Sequence, residues 1–366
     1  PMRSFMQTQA IELETRISNK DIQNIAVLGQ GIMGVDIALT FALSGYKVTA
    51  VDVSEQQLET AELRTKASLK LMVESGLVEK NQAQKAQQLI VRTIDWDNAL
   101  ADADFVMEVV PENIAQKKAV FEQCDKLCSP DVIIASNTSS MSITHIAEGM
   151  GYPQRAITAH WTIPAHLSPL VEVVPGVQTA KAAELKTMDL LKKSGKYPVI
   201  CKDTPGFIHN ILQGALIKAA MDLMDGEIAT AEEIDNVVKN GFGLRMPSVG
   251  PIQFMDMVGL DSIVNVGNYL ADMMNDPNWR SHKRIRDKVE KGDLGVKTGK
   301  GFYQYPDANA DEFWEEINGG IIKTLKANYQ QGLSRQMIAI TLPVVQVPIP
   351  GMYVIFYLVK AMPKIC

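Results

Sequence analysis

The pattern of apolar and polar positions predicts strands that alternate with helices along residues 24–201. Short apolar runs are typical of buried strands, whereas apolar residues three or four positions apart are typical of helices. The predicted strands cover residues 25–28, 47–51, 105–110, 132–136, 156–159 and 197–201, and the predicted helices cover residues 37–43, 54–89 and 113–128. Because such alternation builds parallel sheets covered on both faces, the expected fold class is α/β with a doubly wound, Rossmann-type sheet.

The helical stretch at residues 54–89 is longer than a minimal crossover between two strands requires. Leu58, Leu63 and Leu69 lie on its apolar side, and Gly76 interrupts the helical pattern. Since glycine weakens helices, we expect two helices joined as a hairpin.

The segment Asp-Thr-Pro-Gly at residues 203–206 ends the alternating pattern. Helical spacing follows at residues 207–225, 230–240 and 259–290, which predicts an all-helical second domain. The expected organisation is a leader or flexible arm at residues 1–22, a Rossmann domain at residues 23–203, a helical domain at residues 204–306 and an extension at residues 307–366.

Composition and charge exclude several classes of protein. A length of 366 residues fits two domains with extensions. The formal charge of −6, without a basic stripe, argues against nucleic acid as a partner. The four cysteines have neither zinc-like spacing nor the density of a disulfide framework, so no metal site is expected. Residues 1–24 contain no secretory signal, and we therefore expect a cytoplasmic protein.

The segment 337–362 is apolar, with Lys360 as its single charge, and it is long enough to cross a bilayer. Pro343, Pro348, Pro350 and Gly351 interrupt it, however. A membrane anchor, a packed extension and a segment not native to the protein are the three interpretations. We expect no membrane association.

A glycine-rich motif, G-x-G-x-x-G, occupies residues 29–34, directly after a predicted strand and at the start of a predicted helix. In this context the glycines allow a tight turn, close approach of a pyrophosphate and close helix packing, while the helix N-terminus favours the negative charge. The predicted dinucleotide contacts are Gly29, Gly31, Ile32, Met33 and Gly34.

Asp52 follows the second predicted strand, eighteen residues after Gly34. A carboxylate at this point accepts hydrogen bonds from ribose hydroxyls and repels a 2′-phosphate, so NAD is the expected cofactor. The alternative is a glycine-rich turn beside a solvated aspartate.

Four polar residues follow strands or lie in a helix where a packed core does not require them: Ser139, His160, Glu172 and Asn210. A histidine at the end of a strand can take the proton of an alcohol as hydride leaves the carbon, and a carboxylate can orient its ring. His160 and Glu172 would form that pair. Taken singly, His160 could be a core histidine, Ser139 a helix N-cap and Asn210 a loop cap.

Together these motifs resemble the 3-hydroxyacyl-CoA dehydrogenase family over residues 24–305, about three quarters of the sequence. The matching segments, in order, are GQGIMG, the helical hairpin, EVVPEN at residues 108–113, SNTSS at 136–140, HWTIP at 160–164, LVEVVPG at 170–176, DTPGF-IHN at 203–210 and LGVKTGKGFYQY at 294–305.

The resemblance implies roles for individual residues. His160 is the catalytic base, Glu172 its partner, and Ser139 and Asn210 hydrogen bond the reacting oxygen. The cofactor contacts implied beyond the glycine-rich loop are Glu112, Lys117 and Asn137. The hairpin closes over the substrate, with Lys70 as a substrate contact, and the helical domain forms a homodimer.

Two segments depart from the family pattern. Ile163 stands where the family has an asparagine in H-F-x-N-P, so a polar contact near the substrate is missing. The segment 243–251 is longer than in ordinary short-chain members and carries Arg245, which resembles the branch of gulonate 3-dehydrogenase, lambda-crystallin and carnitine dehydrogenase. Arg245 would pair with a substrate carboxylate, because a guanidinium matches a carboxylate in two hydrogen bonds. The alternative is an arginine at a solvated helix end.

The expected activity is NAD-dependent oxidation of the 3-hydroxyl of a 3-hydroxyacyl-CoA, a reversible reaction of fatty acid β-oxidation. The first alternative is a dehydrogenase of a free 3-hydroxy acid. The second is a structural protein like the crystallin members of the family. The presence of both His160 and Glu172 argues against the second alternative, since a purely structural protein does not require that pair.

Overall fold

The computed structural model describes residues 2–305 and 310–329. The chain forms two compact units, and the boundary between them follows Ala219. The first unit contains the sheet, and the second is helical. The sequence predicted a domain boundary at residues 203–204, before the helix that contains Ala219.

One sheet organises the first unit, and within the described residues it has eight strands. The strands are β1 (Asn24–Leu28), β2 (Lys47–Val51), β3 (Ile90–Thr93), β4 (Phe105–Glu108), β5 (Ile133–Ser136), β6 (Ala156–Trp161), β7 (Leu170–Pro175) and β8 (Tyr197–Ile200). Their order is β3-β2-β1-β4-β5-β6-β7-β8, and all neighbours are parallel except β6 and β7. The predicted α/β fold class is confirmed.

Helices cover both faces of this sheet. They are α1 (Met2–Asn19), α2 (Ile32–Leu43), α3 (Glu55–Glu74), α4 (Lys80–Leu89), α5 (Trp96–Ala101), α6 (Ile114–Leu127), α7 (Ile143–Ile146) and α8 (Lys181–Lys193), with a 3₁₀ turn at Pro153–Arg155. Helices α3 and α4 form the hairpin predicted at residues 54–89, and α9 (His209–Asp225) crosses the boundary between the units.

Alternate residues of the central strands point to opposite faces, and each face has its own core. Ile25 and Val27 belong to the core covered by α2, whereas Ala26 and Leu28 belong to the core covered by α6. Because both faces are buried, the strands read as continuous apolar runs. The polar side chains of the candidate site follow the ends of β1, β2, β4, β5 and β6. The sheet therefore sets the positions from which these side chains start.

A helix occupies most of residues 1–22, the segment expected to be a leader or flexible arm. Residues 2–19 form α1, which packs along α8. Leu13 and Ile17, four positions apart, are buried in the same core as Ile25. A stripe this narrow gives a weak helical pattern in the sequence, but a neighbouring helix is sufficient to bury it.

Three further elements differ from the prediction. Strands β3 and β7 were not predicted, and the helix expected at residues 259–290 is interrupted. It forms α13 (Leu260–Met273), a 3₁₀ turn at Pro277–Trp279 and α14 (Lys283–Glu290). Asn275 has a positive φ of 50°, and Pro277 follows, so the helical hydrogen bonds end there.

The second unit also contains α10 (Ala231–Asn240), α11 (Phe242–Arg245), α12 (Pro251–Val258) and α15 (Ala310–Tyr329). Asp256 in α12 is fully buried and accepts hydrogen bonds from the N–H groups of Phe302 and Tyr303 and from the Tyr305 hydroxyl. A Cβ at Gly301 would lie 2.2 Å from its Oδ1. The segment LGVKTGKGFYQY thus folds around a buried carboxylate.

Among the described residues, no helix combines the length and the apolar character needed to cross a bilayer. The apolar segment 337–362 lies outside the described residues.

Candidate active site

The glycine-rich turn joins β1 to α2, and two of its glycines are required by close contacts. Gly29 has a φ of +95°, and a Cβ there would lie 2.7 Å from the carbonyl oxygen of Val109. A Cβ at Gly34 would lie 1.8 Å from the carbonyl oxygen of Gly29. Both contacts exclude a larger residue, so the turn passes tightly between β4 and the first turn of α2.

Gly31 differs from these two glycines, because a Cβ there would meet nothing within 4 Å. It is the N-cap of α2, whose first N–H groups, including those of Ile32 and Met33, have no acceptor within the helix. Ile32 is 58% exposed beside this open space. Open space next to free N–H groups at a helix N-terminus fits the pyrophosphate of a dinucleotide.

Asp52 follows β2 and is tied to the glycine-rich turn. Its Oδ2 accepts a hydrogen bond of 2.7 Å from the N–H of Gln30, and its Oδ1 accepts one of 2.8 Å from the N–H of Val53. The carboxylate is half-buried, so part of it is open to solvent. Asp52 therefore braces the turn and presents a negative charge at its edge.

A buried ion pair lies at the end of β4. The Nζ of Lys117 is 2.8 Å from Oε1 of Glu108, and both side chains are almost fully buried. Glu108 also accepts hydrogen bonds from the Ser136 hydroxyl and from the N–H of Val110. Lys117 was predicted as a cofactor contact, whereas Glu108 was quoted only within a motif. In the structure Lys117 is buried and connects α6 to β4 through Glu108. Its Nζ also lies 3.4 Å from the Glu112 carboxylate.

Glu112 organises the SNTSS loop after β5. Its Oε1 accepts hydrogen bonds from the Thr138 hydroxyl at 2.6 Å and from the N–H groups of Ser139 and Ser140. Burial alone would raise the pKa of Glu112, but these hydrogen bonds and the charge of Lys117 lower it. The carboxylate is therefore ionised at neutral pH.

Asn137 links the same loop to β6, since its Oδ1 accepts a 2.9 Å hydrogen bond from the N–H of Trp161. This bond holds the loop beside His160, the preceding residue of β6. The side-chain amide of Asn137 thus orients the loop, and its predicted contact with the cofactor remains a prediction.

His160 and Glu172 lie directly opposite each other in the antiparallel pair β6–β7. The Nδ1 of His160 is 2.8 Å from Oε2 of Glu172, and the two residues are 5% and 1% exposed. Oε1 of Glu172 accepts hydrogen bonds from the N–H groups of Ile208 and His209 at the start of α9. With Nδ1 bonded to a carboxylate, the Nε2 of His160 is the ring atom left to exchange a proton.

Ser139 and Asn210 are also brought together. The Asn210 side-chain amide donates a 2.8 Å hydrogen bond to the backbone carbonyl of Ser139. The hydroxyl of Ser139 lies 3.5 Å from Oε1 of Glu112. Ser139 and Asn210 thus belong to the segments that hydrogen bond to Glu112 and Glu172. Their own shortest contacts are with other protein groups.

Lys70 and Arg245 are the other predicted substrate residues. Lys70 is on the exposed surface of α3, where its Nζ is 3.7 Å from Glu74. Arg245 ends α11 in the second unit, and its guanidinium stacks 3.6 Å from the ring centroid of Phe254. Burial lowers the pKa of Arg245. In the described part of the chain, no carboxylate pairs with its guanidinium.

His209 is a residue that the sequence reasoning missed. Its ring centroid is 6.3 Å from that of His160, and the ring of Phe207 lies 5.6 Å from His160 on the same segment. The one hint in the sequence is its place directly before Asn210 in the quoted IHN segment. Across the described residues, no group of three metal-ligating side chains is placed to hold an ion.

These features define the class of protein. A doubly wound sheet with an open glycine-rich turn, an acid after β2 and a buried histidine–carboxylate pair is typical of a Rossmann-type dehydrogenase. Models of the 3-hydroxyacyl-CoA dehydrogenase NAD binding domain and C-terminal domain match residues 24–204 and 206–305. The chain belongs to the 3-hydroxyacyl-CoA dehydrogenase family and is an NAD-dependent oxidoreductase.

Several similar proteins match this chain over most of their own length. A probable 3-hydroxybutyryl-CoA dehydrogenase of Bacillus subtilis is 34% identical, over 78% of this chain and 99% of the relative. A 5-formyl-3-hydroxy-2-methylpyridine 4-carboxylate 5-dehydrogenase of Mesorhizobium japonicum is 33% identical, over 78% and 91%. The crystal structure of a 3-hydroxyacyl-CoA dehydrogenase from Archaeoglobus fulgidus has a TM-score of 0.69 at 29% identity, covering 84% of this chain and 100% of the other.

Proposed function

We propose that this protein oxidises the 3-hydroxyl of a 3-hydroxyacyl-CoA to the 3-keto thioester, and reduces the ketone in reverse. The observation that carries the proposal is the buried His160–Glu172 pair, joined at 2.8 Å. A relative named as a probable 3-hydroxybutyryl-CoA dehydrogenase, at 34% identity, supports the thioester as substrate.

His160 acts as the general base in the direction of oxidation. In the neutral ring whose Nδ1–H donates to Glu172, Nε2 is the nitrogen that accepts the proton of the substrate hydroxyl. Glu172 stabilises the resulting imidazolium, and the N–H groups of Ile208 and His209 hold the carboxylate in place. In the reverse direction the imidazolium returns its proton to the ketone oxygen.

NAD, when bound, supplies the acceptor for the hydride that leaves the carbinol carbon. The glycine-rich turn at residues 29–34 and Asp52 would hold the pyrophosphate and the ribose of its adenosine half. Glu112, with Asn137, would lie beside the nicotinamide half. Lys117 would act through Glu112, since its own side chain is 1% exposed.

A second candidate is a substrate that carries a free carboxylate near the carbinol. Two observations favour it: Arg245 has its guanidinium stacked on Phe254 with no carboxylate partner in the described chain, and one relative at 33% identity is named as a dehydrogenase of a pyridine carboxylate. Arg245 would bind that carboxylate in two hydrogen bonds.

The assay follows NADH absorbance with acetoacetyl-CoA and dehydrocarnitine offered separately. We expect the thioester to be reduced, and His160→Gln to lose about 10³-fold in kcat while still binding NADH. His145→Gln, which changes an exposed histidine of α7, is the matched control. Activity with dehydrocarnitine alone would favour the second candidate, and Arg245→Ala would then raise its KM. Silence with both ketones would contradict both candidates.

A cytoplasmic homodimer is the proposed physical state. The dimer is supported by apolar side chains that the helices expose. They include Leu212 (59% exposed), Ile217 (54%), Val266 (58%) and Tyr269 (64%). Burial of such side chains against a second copy would be favourable. Light scattering at micromolar concentration tests this, and a monomer would contradict it.

A further inference from the structure

A second imidazole stands beside the proposed catalytic base. The ring centroids of His160 and His209 are 6.3 Å apart, with an angle of 63° between the ring planes. His209 is half-buried, and no described residue hydrogen bonds its ring, although its backbone N–H binds Glu172. Its ring nitrogens are therefore available to a ligand.

The local backbone explains why His209 lies there. Gly206 and Phe207 have consecutive positive φ values of 80° and 51°. Such a conformation is uncommon for phenylalanine, and strained residues of this kind cluster at functional sites. The turn leads into α9 so that the N–H groups of Ile208 and His209 reach Glu172, and the first side chain of the helix, His209, lies beside His160.

The other polar groups near His160 already have contacts within the protein. Asn210 donates its side-chain amide to the carbonyl of Ser139, and the Ser139 hydroxyl lies near Glu112. Glu172 accepts hydrogen bonds from His160 and from two backbone N–H groups. The His209 ring, unlike these groups, has no hydrogen-bond partner among the described residues.

The spacing of the two rings suits one shared oxygen. An oxygen hydrogen bonded to a ring nitrogen lies about 4 Å from the ring centroid. If one oxygen binds both rings, the 6.3 Å between the ring centroids corresponds to an angle of about 105° at the oxygen. This is close to the tetrahedral angle of an alcohol or alkoxide. A carbinol oxygen can therefore contact both imidazoles.

We propose that His209 is a second catalytic residue, which donates a hydrogen bond from its imidazole to the reacting oxygen shared with His160. This inference rests on the proposed function and deepens it. In oxidation, the hydroxyl proton passes to Nε2 of His160, the hydride leaves for the bound NAD, and the C–O bond becomes a carbonyl. His209 keeps its own proton throughout and stabilises the negative charge that develops on the oxygen.

The first test compares His209→Phe, which keeps a ring and removes the donor, with His209→Gln, which keeps a donor. We expect His209→Phe to lose about 100-fold in kcat, with an NADH dissociation constant within twofold of wild type. His209→Gln should recover at least a tenth of wild-type kcat. His145→Phe, the same exchange at an exposed position of α7, should have no effect.

A second readout does not depend on turnover. The infrared stretch of the 3-keto carbonyl, isolated with ¹³C at C3, is measured in the unreactive complex of acetoacetyl-CoA with enzyme and NAD⁺. Two donors on the oxygen lower the frequency more than one does. We expect the shift to be smaller in His209→Phe than in wild type and in His209→Gln.

The outcomes separate this inference from the proposed function. If wild type reduces the ketone and His209→Phe matches it in both kcat and carbonyl frequency, the inference is overturned while the proposed function stands. A His209→Gln variant as impaired as His209→Phe, with an unchanged carbonyl frequency in both, would also overturn it, because the loss would then be structural. A wild type inactive with the thioester and with dehydrocarnitine would overturn the proposed function and the inference together.

Discussion

The sheet unit and the helical segments that follow it use their side chains in opposite ways. The sheet unit buries ionisable groups in matched sets, such as Glu108 with Lys117 and His160 with Glu172. In α9, α10 and α11, by contrast, none of the described residues is buried, and apolar side chains such as Leu212 are exposed. Buried polar groups cost free energy unless they are paired. The sheet and the helices that cover it therefore pair their buried ionisable groups, whereas these later helices expose apolar side chains.

The largest effect is expected where a buried pair also carries chemistry. Glu172→Gln keeps an oxygen for the N–H groups of α9 but removes the charge that stabilises the imidazolium and fixes its tautomer. We expect kcat to fall by about 10³- to 10⁴-fold, measured as NADH oxidation, with the circular dichroism spectrum unchanged. A loss below tenfold would show that the carboxylate does not orient His160.

The next effect concerns stability. Lys117→Met leaves the buried Glu108 without its charged partner, and breaking one side of a buried ion pair costs about 3–5 kcal/mol. Thermal unfolding without cofactor measures this. Lys118→Met is the matched control, because the adjacent Lys118 pairs with Glu148 at the surface and should lose less than about 1 kcal/mol. Equal losses in the two variants would mean that the buried pair contributes no more to stability than the exposed pair.

Asp256 allows the corresponding test in the helical unit, where it is a buried carboxylate. Asp256→Asn must place an amide group against the N–H donors of Phe302 and Tyr303, which we expect to cost about 1–3 kcal/mol. Faster hydrogen exchange at residues 295–305 would accompany the loss. Asp261→Asn, which breaks an exposed pair with Lys297, should change neither quantity measurably.

The smallest effect is a dependence of stability on pH. Burial lowers the pKa of Lys196 to about 8, and the charge of Asp36 only partly offsets this. Because the lysine of the unfolded chain has a pKa of about 10.4, the folded state binds fewer protons between these values, and stability rises with pH in that window. The melting temperature of wild type should therefore gain on that of Lys196→Gln between pH 8 and about pH 10. Lys192→Gln, an exposed change on α8, should show no such trend; a flat difference for Lys196→Gln would contradict the prediction.

The sequence predicted the elements whose pattern is local. Strand β1, the turn at residues 29–34 and Asp52 were recognised because strand, glycines and acid stand at a known spacing. Strand β3 was missed, because its four residues, IVRT, directly follow a helix without a turn signal. Strand β7 was quoted as a motif but not recognised as a strand, since its reversed direction breaks the expected alternation with helices.

The site residues show the same limit. His160 and Glu172 were paired from their chemistry, but the backbone register that sets them opposite each other depends on the sheet. The role of Glu108 depends on Lys117 and Ser136, nine and twenty-eight positions away, which meet only in the folded chain. His209 was missed because its relation to His160 comes from two consecutive positive φ values, at Gly206 and Phe207, and phenylalanine carries no sequence signal for that conformation.

The antiparallel pairing of β6 and β7 has a consequence for engineering. Both members of the histidine–carboxylate pair belong to one β-hairpin, and the register of that hairpin, rather than the length of its connection, sets their distance. A redesign of the connecting residues 162–169 therefore keeps the pair in place only if it preserves the alignment of the two strands and the buried position of Ala165. Substitutions at exposed positions of the connection, such as Ile163 and Leu167, would leave the distance between His160 and Glu172 unchanged.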